Sequence, residues 1–202
     1  MKHFFCNRWQ PMRYWIYPLF IILLTTACRE TTTPRPNGFF RIDSYPATYK
    51  EVKMGNITLN INDSALCNVP PGAEGNSGTE WLNITYPRYN ATIYLSYITL
   101  HDNLDRLMAE SIELVYRQNV NTEQVEAIAY EDKAAKLYAT LFALSPESAT
   151  PIQFIATDST QYLLRGALYF DNPVKADSVA PSLQYIEEDI MVLIENITHT
   201  PL

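Results

Sequence analysis

Between Val125 and Phe170 the sequence holds four short segments of strand character, joined by connections that leave only antiparallel pairing open. Val125–Tyr130 turns through Glu131-Asp132-Lys133 into Ala134–Leu144, and "SPESATP" at 145–151 leads to Ile152–Thr157. Asp158-Ser159-Thr160 then turns that segment into Gln161–Phe170. A parallel neighbour would require a crossover of roughly a dozen residues or more. This half of the chain is therefore committed to hairpins.

The upstream half follows the same rule. Ile57–Ile61 alternates at Ile57, Leu59 and Ile61, and Phe39–Ile42 is a further short apolar stretch. Trp81–Tyr86 and Ala91–Leu100 are predicted to pair across Pro87-Arg88-Tyr89-Asn90, with Ile93, Leu95 and Tyr97 on one face. Between them, "NVPPGAEGNSGTE" at 68–80 is expected to be an irregular loop. Two stretches carry helical period instead. One places Leu104, Leu107, Met108, Ser111, Ile112 and Val115 on a stripe, with Asp102 positioned to cap it. The other, Ser178–Ile197, has Pro181 in its first turn and Leu183, Ile186, Ile190, Leu193 and Ile197 along one side. The class this implies is α+β, an antiparallel β-sheet packed by two main helices. Helices on both faces would make an α/β/α sandwich similar to PsbP/Mog1-like domains.

Within that sheet, Gln161–Phe170 has the pattern of an interior strand. Tyr162, Leu164, Leu168 and Phe170 share one face, where Gly166 leaves room for a helix or an aromatic ring. Leu163, Ala167 and Tyr169 occupy the other face with Arg165. A covered guanidinium needs a carboxylate or several carbonyls, so Arg165 is expected to form a structural ion pair, with ligand recognition as the competing reading.

The amino-terminal segment has a separate logic. Its apolar core from Trp15 to Leu24 is ten residues long and contains Pro18, whereas a membrane-spanning helix needs about 20 apolar residues. Lys2, Arg8 and Arg13 precede or open it without any acid, the pattern of an export signal. Leu23-Leu24-Thr25-Thr26-Ala27-Cys28 resembles the bacterial lipobox, with Thr25 where leucine is usual. Residues 1–27 are thus expected to be a lipoprotein signal peptide, with Cys28 acylated. The alternative is an ordinary secreted protein with an incidental cysteine. Residues 28–38, including "RETTTPRPNG", form a tether, and 39–198 form one α+β domain.

Charge narrows the partners. The chain has 15 basic and 22 acidic residues; losing the three bases of the signal leaves 12 against 22, a net −10. Nucleic acid is excluded as a partner on that balance, and membrane contact is expected through the lipid anchor. Cys67 would be the lone remaining thiol, so no intramolecular disulfide is expected. Five Asn-x-Ser/Thr matches, from Asn56 to Asn196, are read as accidents of polar strand faces.

Catalytic patterns are missing. The sequence contains no Gly-x-Ser-x-Gly, no phosphate-cradling glycine loop and no His-Glu-x-x-His. Neither enzymatic activity, cofactor nor metal is therefore expected. His199 lies three residues from the last residue, where disorder is the default. The hydroxyls and carboxylate of Asp158-Ser159-Thr160 are what tight turns select. Glu187-Glu188-Asp189 is expected to be a solvated acidic helix face.

A set of motifs carries the reading further. Trp81-Leu-Asn-Ile-Thr-Tyr-Pro87, Ala91-Thr-Ile-Tyr-Leu-Ser-Tyr97, Gln153-Phe154, Thr157-Asp-Ser-Thr160, Leu164-Arg-Gly-Ala-Leu-Tyr-Phe170 and Asp177-Ser-Val-Ala-Pro181 resemble the gliding-motility-associated lipoprotein GldD family of Bacteroidetes. The resemblance spans roughly residues 37–197 and is strongest over "TDSTQYLLRGALYF". Family members often carry a cysteine directly before the tryptophan, where this chain has Glu80. Any loop disulfide there is absent. The resemblance implies a role in gliding motility and type IX secretion, with other envelope proteins of that machinery as partners and no catalytic residues. Cys28 is then the lipid attachment site, and Trp81, Asp158, Ser159, Arg165 and Gly166 are structural or interaction candidates. A ligand-binding domain or hydrolase built on Asp158–Thr160 and Arg165 is the alternative. Arg29-Glu30-Thr31 has one acid rather than the acidic cluster of surface-exported lipoproteins, which favours the periplasmic face of the outer membrane.

Overall fold

The cleanest alternation in the sequence becomes the centre of the sheet. The computed structural model describes residues 47–71, 78–117, 125–145, 148–171 and 176–199. Its strands are β1 (Tyr49–Met54), β2 (Ile57–Asn62), β3 (Leu66–Asn68), β4 (Thr79–Tyr86), β5 (Ala91–Thr99), β6 (Glu126–Asp132), β7 (Leu137–Ala143), β8 (Ile152–Thr157), β9 (Tyr162–Phe170) and β10 (Thr198–His199). Helix α1 spans Leu104–Arg117 and helix α2 spans Ala176–Glu195.

Seven strands form one sheet in the order β3-β4-β5-β9-β8-β7-β6, antiparallel throughout. The hairpin-only connectivity read from 125–170 is observed, and the α+β class holds. The expected single sheet is joined by a second, in which β2 lies between β1 and β10. The "YKEVKM" sequence of β1 gave no strand signal because Lys50, Glu51 and Lys53 interrupt its apolar positions. Charges of this kind suit a sheet edge, where they discourage pairing with another chain.

Pairing Leu95 with Gly166 and Leu164 with Tyr97 sets the register of β5 and β9. Side chains alternate across a strand, so Ile93, Leu95, Tyr97, Tyr162, Leu164 and Leu168 point to the same side, and all are buried. On that side they meet Ile57, Leu59 and Ile61 of β2 and Ile186, Ile190, Leu193 and Ile194 of α2 in one core. Each such side chain contributes about 1.5–3 kcal/mol on burial. The other side carries a smaller core, where Val115, Leu104, Leu107 and Met108 of α1 pack on Leu163, Ile155, Phe142 and Leu100. The two helices therefore cover opposite faces of the large sheet.

Gly166 lies directly opposite Phe154 across β8 and β9. A Cβ at 166 would fall inside the Phe154 ring, so the room expected beside this glycine is filled by an aromatic side chain. Helix α1 starts at Leu104, which makes Asn103, not Asp102, the residue before its first turn; Asp102 has φ 53 in the left-handed region. Ile112, expected on the buried stripe, is 37% exposed at its margin.

Candidate functional site

Arg165 sits mid-strand on the face that α1 only partly roofs. Cross-strand pairing aligns Trp81 of β4, Ser96 of β5 and Arg165 of β9 in one row. The outer strands of that row are two spacings of about 4.8 Å apart, so Trp81 and Arg165 project about 10 Å from each other. The sequence candidates Trp81 and Arg165 are thus brought to one surface, both half-buried. Helix α1 stops at the Leu163 and Ile155 end, leaving the rest of the face open.

The open part is a groove of about 520 Å³. Ala167 and the backbone of Gly166 supply its floor; Tyr94, Ser96, Arg165, Tyr169 and Asp171 border it, with Gln153 at its base. Tyr94 and Tyr169 meet edge to face, with centroids 5.4 Å apart, which holds both rings upright against the floor. Tyr94 is 45% exposed. Gln153 is buried and donates from Nε2 to the Thr150 hydroxyl at 2.9 Å. Burial pulls the Arg165 guanidinium below its ordinary value, and the nearby Tyr169 offsets part of this. Among the described residues no carboxylate comes within ion-pair distance of Arg165. The structural ion pair expected from its mid-strand position therefore has no counterpart in this part of the molecule.

The Asp158–Thr160 turn lies elsewhere and is occupied with its own backbone. Asp158 Oδ1 accepts N–H bonds from Gln161 at 2.7 Å, Thr160 at 3.0 Å and Tyr162 at 3.2 Å. Its Oδ2 accepts the Thr160 hydroxyl at 3.1 Å. Burial alone would push this carboxyl up, but these donors together hold it below its ordinary value. Ser159 adopts φ 68 and its N–H donates to the Thr157 hydroxyl. Asp158 lines no part of the groove, so the pairing of that turn with Arg165 is not formed.

His199, expected to be disordered, is the end of β10. Its ring meets Tyr162 edge to face at 5.8 Å, and Nε2 stands 3.8 Å from Asp158 Oδ2, beyond hydrogen-bond reach. His101 is exposed on the loop before α1. Asp189, expected on a solvated helix face, is 5% exposed and hydrogen-bonded within the main core. Cys28 lies outside the described residues. No cluster of three metal-ligating side chains occurs among the described residues. Sequence alternation already placed Tyr169 on the face of Arg165; that Tyr94, Ser96 and Gln153 join them there follows only from the register between strands.

These features define an α+β domain with one open, aromatic-lined sheet face and a carboxylate-bearing turn committed to structure. No helix among the described residues is long and apolar enough to cross a membrane. Residues 29–199 match the family of the gliding motility lipoprotein GldD, and the chain belongs to that family. It is a gliding-motility-associated lipoprotein, of a family whose place is the cell envelope. No curated protein matches the chain.

Proposed function

We propose that this lipoprotein is a lipid-anchored envelope component that supports gliding motility and type IX secretion by holding partner proteins rather than by catalysing a reaction. The observation that carries the reading is the family match over 29–199, which begins immediately after Cys28. That boundary supports residues 1–27 as a signal peptide, acylation at Cys28, a tether over 28–38 and a domain over 39–198. The single acid in Arg29-Glu30-Thr31 supports the periplasmic face of the outer membrane. Tethering suits a holding role, because confinement raises the effective concentration of a weakly bound partner without any new contact.

The non-catalytic part of the reading is supported by how the hydroxyl- and carboxylate-bearing residues are used. Asp158 is saturated by its own turn, and Ser159 serves the turn's backbone. Deletion should trap secretion cargo within the envelope and, in a gliding host, stop movement. Re-expression of Ser159→Ala, His101→Ala or the turn-conserving Asp158→Asn should restore both. A folded single variant that blocks secretion as completely as deletion would overturn the non-catalytic reading.

A further inference from the structure

We propose that the open groove on the outer sheet face binds an acidic peptide segment of a partner protein, one carboxylate of which is clasped by Arg165. This goes beyond the anchoring role above and does not rest on it.

Charge is the first ground. On a chain with 22 acids against 15 bases, the middle of this groove presents a guanidinium with no carboxylate partner among the described residues. Half-burial has already removed part of its water, so an incoming carboxylate meets a cation whose desolvation is partly complete. The planar fork of arginine matches a carboxylate with two parallel hydrogen bonds. Asp171 at the same groove decides between anions. A dianionic phosphate would face one cation and one like charge, whereas a monoanionic carboxylate can sit at Arg165 with less repulsion.

Shape is the second ground. At about 520 Å³ the groove falls within the range of small-ligand clefts, enough for a few residues of extended chain. Its floor is low because Ala167 brings only a methyl group to this face, while Tyr94 and Tyr169 form a wall. Ser96 adds a short hydroxyl suited to a peptide amide. Tyrosine, tryptophan and arginine on one exposed face are the residue types that dominate protein–protein binding energy.

The molecule carries its own reporter. Its three tryptophans are Trp9, Trp15 and Trp81, so the full chain with Trp9→Phe and Trp15→Phe retains only Trp81, in the row of Arg165. This protein in detergent micelles would be titrated with acetyl-Ala-Glu-Phe-Glu-Ala-amide, with its Gln-for-Glu counterpart and with inorganic phosphate. Calorimetry would run beside the Trp81 fluorescence. The glutamate peptide should bind saturably, and the glutamine peptide should bind roughly tenfold more weakly or worse. Arg165→Met should abolish the difference between the peptides, and Arg165→Lys should retain part of it, with melting curves showing both variants folded. Equal binding of the two peptides, or an unchanged preference in folded Arg165→Met, would overturn the proposal. Tighter binding of phosphate than of the glutamate peptide would overturn it in favour of a phosphate site. A large loss of stability in Arg165→Lys, with no peptide preference in the parent, would show that the guanidinium is held within the protein. Each of these readouts is made on the isolated protein, so its failure leaves the secretion phenotype unaffected.

Discussion

The hydroxyl of Tyr49 donates a 3.0 Å hydrogen bond to Asp189, joining the first strand to the last helix across 140 residues of sequence. Asn62 donates to the same carboxylate at 2.9 Å, and Tyr86 from the large sheet completes the set. One buried acid therefore links β1, β2, β4 and α2. Tyr185, a turn before it, accepts a bond from Asn62 and packs against Tyr89 at 5.3 Å.

Asp189→Ala should destabilise the fold by about 2–4 kcal/mol, because several buried donors lose their acceptor at once. Chemical denaturation measures it. A loss no larger than that of an exposed control such as Glu188→Ala would mean the network is not a structural tie.

Asp189 and Asp158 should give opposite pH dependences. Burial pushes the Asp189 carboxyl up, and its hydrogen bonds only partly offset this. Its contribution is fully present below the ordinary aspartate range and is lost as pH rises through the raised folded value. Asp158 is held low, so its contribution is present above that range and is lost as pH falls through the depressed value. Melting curves against pH should flatten on the upper side in Asp189→Asn and on the acid side in Asp158→Asn. The reverse assignment would refute the geometry of both sites.

Gly166→Ala should cost about 1–3 kcal/mol by driving a methyl group into the Phe154 ring. Phe154→Leu added to it should recover part of the loss, giving a measurable coupling in a double-mutant cycle. Strict additivity would mean that the strand relaxes away from the ring.

How far these features were readable from sequence depends on whether they are local. The face shared by Ile93, Leu95 and Tyr97 and the space beside Gly166 follow from period two, which a single strand carries by itself, while the bounds of β8, buried on both faces, follow from its flanking turns. Asp189 was also within reach. It falls three residues after Ile186, one before Ile190 and four before Leu193, inside the apolar stripe of α2, although it closes a run of three consecutive acids. Arg165 was legible as a cation on a covered strand with Tyr169 on its own face, but its missing carboxylate and the Tyr94 half of its wall depend on which residues the neighbouring strands place beside it. Register is a property of pairs of strands, and no one segment encodes it. The charged β1 and the two-residue β10 are strands only because β2 lies between them.

Ser159→Gly should raise stability by a few tenths to about 1 kcal/mol, since φ 68 costs a residue with a Cβ more than it costs glycine. Thermal melts of the two proteins decide the point, and a lower melting temperature for the glycine variant would contradict the turn geometry.

Cys28→Ala should leave the protein uncleaved or soluble, as seen by envelope fractionation after labelling with a fatty-acid analogue. Label retained by the variant would refute Cys28 as the attachment site.

The position of β2 between β1 and β10 also bears on how the molecule comes to exist. The sheet that opens the described chain is finished by its last strand, and a loop of that length closes slowly because its entropy is lost before its contacts form. A chain appearing amino-terminus first must therefore hold Ile57, Leu59 and Ile61 without their final cover of α2 until the distal residues arrive. Shortened products ending before residue 176 would present that bare apolar surface together with an unpaired strand edge. Conditions that keep those intermediates apart from one another should therefore raise the yield of native protein.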